Sequence, residues 1–352
     1  MKLLEAEVTP PFPYRLPHYG SEDGTTRVTG GVVSRLLRVE DSPVLVRAWQ
    51  PGPERVALRA EPVEPAALSG PSTSSAPANR PAGDAQLEVA IERMRFALAV
   101  DDDLSEFHRS FRGDPLLGPL LRRRPHWRPR RAPWPWEALA WAIVKQLIET
   151  ERAARIQRRI VGRWGVRLGT GRGALRDAPG PAAIAGRAPA ELESMGLALR
   201  RAIALRTVAG EIARGRCDPA RPAADRRLRT VREIGPWTVQ CLGFFGRGDP
   251  DSLPAGDLAY IKLVGRLAGL GRRATVEEVE TFYAPYAPFR GLAGQLMIQA
   301  PGALVDKASD GARNPGRELA RKEGRRVPRS DLRRRRGLPA TGRAPTGDRL
   351  RG

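Results

Sequence analysis

The chain has 352 residues, enough for two or three compact domains, and its 41% hydrophobic content is enough to build real cores. Sixty Lys and Arg against thirty-nine Asp and Glu leave a formal charge of +21, which suits a polyanionic partner, although coding bias also raises arginine. Two cysteines, Cys217 and Cys241, exclude a four-cysteine zinc or iron–sulfur site and fit a reducing compartment. No run approaches the ~18–20 apolar residues of a membrane span, and the acidic, proline-rich N-terminus does not read as a secretory leader. The expectation is a soluble cytoplasmic protein.

Residues 1–63 read as an N-terminal antiparallel β domain. Short strand signals stand at Val32-Val33, Leu36–Val39, Val44–Ala48 and Arg55–Leu58, with turns at Asp41-Ser42-Pro43 and Pro51-Gly52-Pro53 between them. Residues 64–86 turn to Pro, Ala, Ser and Gly and read as a flexible insertion. From Leu87 the pattern is helical: Leu87, Ile91, Met94 and Leu98 recur at helical spacing, Asp103–Phe111 is a short helix, and Trp136–Val161 is one long amphipathic helix. Further helices are expected near Pro189–Met195, Leu199–Arg214, Arg226–Val231, Pro236–Phe245, Leu258–Leu270 and Val276–Tyr283. The helical domain spans 87–304, so the fold class is mainly α, an α+β chain with a small antiparallel sheet in front. Residues 305–352 read as a disordered basic tail, with fifteen basic against six acidic residues from 306 onward. Such a tail either adds non-specific affinity for DNA or is simply solvated.

The run Leu228–Tyr260, LRTVREIGPWTVQCLGFFGRGDPDSLPAGDLAY, carries the most chemistry. Within 226–245, two amphipathic pieces are joined by a tight turn at Ile234-Gly235, and Pro236 takes the first helical position, where its missing N–H costs nothing. The free N–H groups around Trp237, Thr238 and Val239 then face outward with the helix dipole behind them, an arrangement that suits a phosphate. About 20 residues on, Asp257 follows the loop Ser252–Gly256 and heads another apolar-periodic helix. An aspartate there is ordinarily an N-cap. Held beside a bound backbone, the same carboxylate is also a candidate catalyst, and the two roles are compatible because a helix N-terminus favours the ionised form.

The hairpin and Asp257, taken with Phe96–Ser105, Trp136–Ile148 and Met195–Ala202, resemble the helix-hairpin-helix DNA glycosylase superfamily, specifically its DNA-3-methyladenine glycosylase II type. The resemblance covers Phe96–Ile298 well and Arg27–Val63 weakly. It implies an N-terminal antiparallel sheet packed on two helical subdomains, with a substrate cleft between them. It implies a monofunctional enzyme that flips an alkylated base such as 3-methyladenine or 7-methylguanine out of duplex DNA and hydrolyses its N-glycosidic bond. The partner implied is double-stranded DNA with a damaged base, placing the protein with the nucleoid. Nothing indicates a protein partner, and a monomer is expected. No cofactor is required, although hairpin carbonyls of DNA-bound relatives hold a monovalent cation.

The resemblance also assigns residues. Asp257 falls in the catalytic position, and none of the histidines matches one. Trp237 stands where bifunctional relatives carry a Schiff-base lysine, which argues against a lyase and places an indole against the base, its alternative being a tryptophan that simply packs the hairpin. Ile234, Gly235 and Thr238 belong to the DNA-binding hairpin. Leu147 matches the residue that fills the gap left by the flipped base, its alternative being a core leucine, while Gln146 either contacts DNA near that gap or caps its own helix. Cys241 and Ile298 stand where aromatics line the base pocket of well-known members, so the pocket is expected to be less aromatic. The arginines flanking Pro125–Trp127 either contact nucleic acid or form a packed connection. One departure falls in the hairpin itself: Val231-Arg232-Glu233-Ile234-Gly235 replaces the first glycine of the usual Leu-Pro-Gly-Ile-Gly with glutamate. Two rival readings keep the scaffold but change the chemistry, one a glycosylase for uracil or hypoxanthine, the other a non-catalytic DNA-binding hairpin protein.

Overall fold

The computed structural model describes residues 3–40, 42–69, 82–170 and 173–300. The basic tail and most of the Pro/Ala/Ser-rich stretch lie outside the described residues. The N-terminal sheet has five antiparallel strands, β1 (Leu4–Val8), β2 (Thr26–Thr29), β3 (Val32–Val39), β4 (Ser42–Gly52) and β5 (Arg55–Pro62), in the order β1-β5-β4-β3-β2. Helix α1 (Asp84–Leu98) lies on one face, where Leu87, Ile91, Met94 and Leu98 meet Val44, Val46, Val56 and Leu58. The i, i+4, i+7 spacing supplies this apolar stripe, and each large aliphatic side chain buried there contributes roughly 1.5–3 kcal/mol. On the other face Leu36 and Leu45 pack against Leu68, Leu168 and Leu175 of a small sheet made of β6 (Leu68–Ser69), β7 (Arg167–Leu168) and β8 (Leu175–Arg176). Burial on both faces explains why β3 and β4 lack clean alternation.

Two boundaries differ from the sequence expectation. Helix α1 begins at Asp84, inside the stretch read as an insertion, and it belongs to the core of the sheet rather than to the helical body. Glu64–Ser69, also assigned to that insertion, forms a helical turn at Pro65–Ala67 and then β6. The low apolar content misled there because β6 needs only Leu68 to reach the core. Strand β1 escaped notice for a related reason. It is an edge strand whose Glu5 and Glu7 pair with Arg59 and Arg55 of β5, so it carries few apolar residues.

The remaining helices are α2 (Ser105–Phe111), α3 (Leu117–Arg123), α4 (Pro135–Lys145), α5 (Thr150–Trp164), α6 (Pro181–Ala185), α7 (Pro189–Ser194), α8 (Leu199–Ala213), α9 (Ala224–Leu228), α10 (Pro236–Cys241), α11 (Leu258–Leu267), α12 (Val276–Tyr283) and α13 (Arg290–Ile298). They form two cores. In one, α4, α5 and α8 gather Leu139, Ile143, Ile156, Ile160, Leu205 and Val208, and the cluster includes Ile234 and Leu242 of the hairpin. The other joins α2 and α3 to α11, α12 and α13 through Phe107, Leu120, Tyr260, Tyr283 and Leu296. Phe245 packs against both.

The long helix expected over Trp136–Val161 is two helices. Helix α4 stops at Lys145, Gln146 takes φ −51 and ψ 129, Leu147 turns left-handed at φ 55, and α5 starts at Thr150. The apolar period runs on through the break because both helices feed the same core, so periodicity alone could not reveal it.

Buried charges tie the sheet to α4. Arg35 of β3 pairs with Glu137, and the Trp141 indole donates to Asp23 at 2.9 Å. Burial pushes the Glu137 carboxyl up to about 7 against the pull of Arg35. Burial acts upward on Asp23 too, but Arg35 and the hydrogen bonds of Ser21 and Thr25 outweigh it and hold that carboxyl below its usual range. The arginine-rich connection after α3 is packed on the fold. Arg128 donates to the carbonyls of Phe12 and Asp102, Arg131 pairs with Asp102, and Trp127 donates to Gln299 at 2.8 Å.

Candidate active site at the hairpin

The hairpin runs from α9 through the turn Arg229–Gly235 into α10, which widens into a π-helical turn at Leu242–Arg247. Arg247 closes it by a bidentate pair with Asp225 at 2.6 and 3.1 Å. Ile234 is buried, 5% exposed, and serves as the apolar anchor of the turn. Pro236 opens α10, so the N–H groups of Trp237 and Thr238 have no carbonyl one turn back inside the helix and remain available at its end. The side chain of Thr238, by contrast, is turned inward: the residue is 1% exposed and its hydroxyl accepts from Gln146 Nε2 at 2.9 Å.

Two positions of the turn read oppositely to their residue types. Glu233 sits at φ 75, in the left-handed region that glycine adopts freely and other residues at a cost. Gly235 takes φ −99 and ψ −177, which any residue adopts, and a Cβ placed on it would meet nothing within 4 Å. The fold therefore has no need of glycine at 235, and the space beside it is open to something approaching from outside.

Gln146 and Leu147 stand beside this turn. The Gln146 amide donates to the Glu233 carbonyl at 2.8 Å and to Thr238, so it bridges the α4–α5 connection to the hairpin. Within the hairpin the Glu233 carbonyl accepts from Gln146 and that of Val231 from Ile234 N–H, leaving each one lone pair. Leu147 is 99% exposed, which rules out the core-leucine alternative. A concavity lined by Glu22, Thr150, Glu151, Ala154, Arg155 and Arg158 opens nearby at the start of α5.

Asp257 heads α11, whose Tyr260, Leu263 and Val264 belong to the second helical core. Its loop is seated by Leu253 and Ala255, and by an Arg290–Asp251 pair with contacts of 2.9 and 2.5 Å. Ser252 Oγ donates to the Gln240 carbonyl at 3.0 Å, and a Cβ on Gly243 would lie 2.5 Å from that hydroxyl, so glycine permits the close approach of loop and hairpin. Asp257 caps α11: its Oδ1 accepts from Ala259 N–H at 2.8 Å. Among the described residues its second oxygen accepts no hydrogen bond. The cap reading thus holds, and half of the carboxylate remains free.

Trp237 packs its Cβ and Cδ1 at 3.7 Å from a Cβ built on Gly256, immediately before Asp257. Its indole nitrogen is buried without a hydrogen-bond partner. Cys241 lies beneath, 4% exposed; burial, with Asp257 second, pushes its thiol well above the usual range and keeps it neutral. Tyr260, which the sequence reading did not single out, shares this environment: burial first, then Tyr283 and Asp257, raises its phenol. Ile298 sits half-buried at the end of α13 in the core that holds Leu253 and Tyr260. Trp237 and Cys241 therefore lie beside Asp257 and its loop, whereas Ile298 packs on the second helical core.

Residues 140–287 match the HhH-GPD superfamily of base excision DNA repair proteins. That stretch, from within α4 to just beyond α12, is of the HhH-GPD type. The chain is 24% identical over 226 residues to a DNA-3-methyladenine glycosylase of Bacillus subtilis, covering 61% of the chain and 73% of that protein. It is 27% identical over 219 residues to a probable bifunctional transcriptional activator/DNA repair enzyme AlkA of Mycobacterium tuberculosis, covering 59% of the chain but only 42% of that protein. A solved 3-methyladenine DNA glycosylase from Archaeoglobus fulgidus superposes with a TM-score of 0.66 over 83% of this chain and 97% of its own, at 20% identity. That likeness establishes the HhH-GPD fold, a helical body with a small antiparallel sheet.

Proposed function

We propose that the protein is a monofunctional DNA glycosylase that extrudes an alkylated purine from duplex DNA and hydrolyses its N-glycosidic bond. One observation carries the reading: Asp257 is held at a helix N-terminus with one oxygen capping α11 and the other free, directly behind the hairpin and Trp237. A duplex docks its backbone on the N–H groups of Trp237 and Thr238 at the open flank of Gly235. Breaking the glycosidic bond builds positive charge on the deoxyribose. A carboxylate about 4 Å away offsets roughly 4 kcal/mol at an effective dielectric near 20, equivalent to about three decades in rate. The free oxygen of Asp257 also orients the attacking water. An alkylated purine is already cationic and departs without a general acid, and the Trp237 ring stacks on that electron-poor base.

The substrate class is supported by the Bacillus subtilis relative, and the monofunctional character by indole at position 237. The test is base release from duplexes carrying 3-methyladenine, 7-methylguanine, hypoxanthine or uracil, with Asp257→Asn alongside. Release of the alkylated purines and a rate at least a hundredfold lower for Asp257→Asn are expected. Failure to release any lesion while DNA still binds leaves a non-catalytic binding protein, and release confined to uracil or hypoxanthine moves the specificity. A covalent adduct trapped by borohydride overturns the monofunctional assignment.

A further inference from the structure

We propose that Arg201 is a positioning residue that braces the Leu147 wedge loop and fastens it to the hairpin, an inference that rests on the base-excision reading above. Arg201 lies on α8, far in sequence from both elements. Its Nη1 nevertheless donates to the backbone carbonyl of Gln146 at 2.5 Å and to that of Val144 at 3.5 Å. Val144 lies in the last turn of α4, where the helix itself supplies no donors, and Gln146 follows its end. The Gln146 side chain continues the chain of contacts to the Glu233 carbonyl and the Thr238 hydroxyl. One continuous network therefore runs from α8 through the wedge loop to the hairpin.

Leu147 needs such a brace. At φ 55 it occupies a region disfavoured for any residue with a Cβ, and at 99% exposure it has no packing to hold it there. The Gln146 carbonyl lies in the same peptide plane as the Leu147 nitrogen, so fixing that oxygen fixes the rotation from which the Leu147 conformation is built. Arg201 is itself half-buried, with Arg152 and Glu233 as its charged neighbours. Its work is to keep an exposed apolar side chain erect before DNA arrives, which removes an ordering cost from base extrusion.

The test uses the full chain and a duplex in which 2-aminopurine neighbours a tetrahydrofuran abasic analogue, so that insertion of the wedge unstacks the probe and raises its fluorescence. Wild type is expected to give the rise and Leu147→Ala to lose it. Arg201→Met keeps the aliphatic stem but removes the donors. It is expected to slow the rise about tenfold, the worth of one charge-assisted hydrogen bond, with undamaged-duplex affinity within about twofold. Its salt dependence should stay unchanged, whereas loss of a phosphate contact would lower the log–log slope by about 0.9. Arg201→Lys, whose ammonium reaches one carbonyl, is expected to recover part of the rate, and it carries the test if Arg201→Met melts below the assay temperature. A folded Arg201 variant that inserts the wedge at the wild-type rate overturns the brace, as does a loss that merely tracks undamaged-duplex affinity. If the wild type gives no rise on this probe yet releases base from the lesion duplexes, the wedge and its brace are wrong; if it releases no base, the base-excision reading fails and the brace falls with it.

Discussion

Replacing Glu233 by glycine should tighten the grip on DNA while leaving the fold about as stable as before. The left-handed backbone at φ 75 costs a non-glycine residue about 1–2 kcal/mol, and glycine removes that cost. Glycine also adds about 0.5–1 kcal/mol of unfolded-state entropy, so net stability rises by no more than about 1.5 kcal/mol. The charge acts separately. The Glu233 side chain is 26% exposed, its contact with Arg232 Nε is a loose 4.0 Å and Arg201 is a further cationic neighbour, so its field is only partly offset locally. For a phosphate at a separation of about 7 Å from that carboxylate, repulsion at an effective dielectric of about 40–80 amounts to about 0.6–1.2 kcal/mol, a three- to eightfold change in affinity. Because the Debye length is about 10 Å at 0.1 M salt, the gain should shrink as salt rises. Glu233→Gln separates the two effects, since it removes the charge and keeps the backbone strain. Fluorescence anisotropy with an undamaged duplex at low and high salt, paired with thermal melting, measures both. If Glu233→Gln binds no tighter than wild type at low salt, the electrostatic argument is wrong. If Glu233→Gly loses more than about 2 kcal/mol of stability, the strain argument is wrong.

Gly235→Ala should melt within a few degrees of wild type, because a Cβ there meets no atom within 4 Å, yet bind duplex at least tenfold more weakly, on the order of one lost backbone–phosphate hydrogen bond; unchanged affinity would mean that DNA does not approach that flank. Trp237→Phe keeps a stacking ring of smaller area, so kcat/KM for base release should fall about three- to tenfold. A variant as fast as wild type would show that the indole does not stack on the base. Arg35→Met strands the Glu137 carboxylate in the core and should cost about 3–5 kcal/mol at pH 8. With the Glu137 carboxyl raised from 4.5 to about 7, the folded chain holds more protons than the unfolded one between those values, and stability falls as pH rises through that window. Without Arg35 the fall continues above it, so melting should show a smaller loss at pH 5 than at pH 8, and equal losses would refute the account.

Much of the site was legible in the chain because it is local. Pro236 fixes the start of α10 whatever packs around it, and Asp257 followed by an apolar period marks a cap that survives in the fold. What escaped depended on distant partners. The break after Lys145 is invisible in the apolar period, since α4 and α5 feed one core, and it is held open by Arg201 from another helix. Thr238 read as part of an outward-facing surface, but Gln146, 92 positions away in the chain, draws its hydroxyl inward. The Arg35–Glu137 pair joins the sheet to the helical body across 102 positions and leaves no mark on either segment's local pattern. Even the packed arginines after α3 were ambiguous in sequence, because a solvated basic patch and a set of carbonyl-bonded guanidiniums have the same composition.

The glutamate in the hairpin gains a second meaning from these distant contacts. Glu233 opposes a docked phosphate, yet it is also the acidic neighbour of Arg201, which burial and Arg152 would otherwise leave with uncompensated charge. Its carbonyl is the acceptor through which Gln146 ties the wedge loop to the turn. Removing the carboxylate therefore acts in two directions: it strengthens attraction for the DNA backbone and takes away the counter-charge that steadies the wedge brace. Grip and extrusion should consequently separate in Glu233→Gln, with tighter binding to undamaged duplex accompanied by slower insertion of Leu147. A hairpin optimised only for affinity would carry glycine at 233. The glutamate is explained if this chain gives up part of its hold on undamaged DNA to keep the wedge in position.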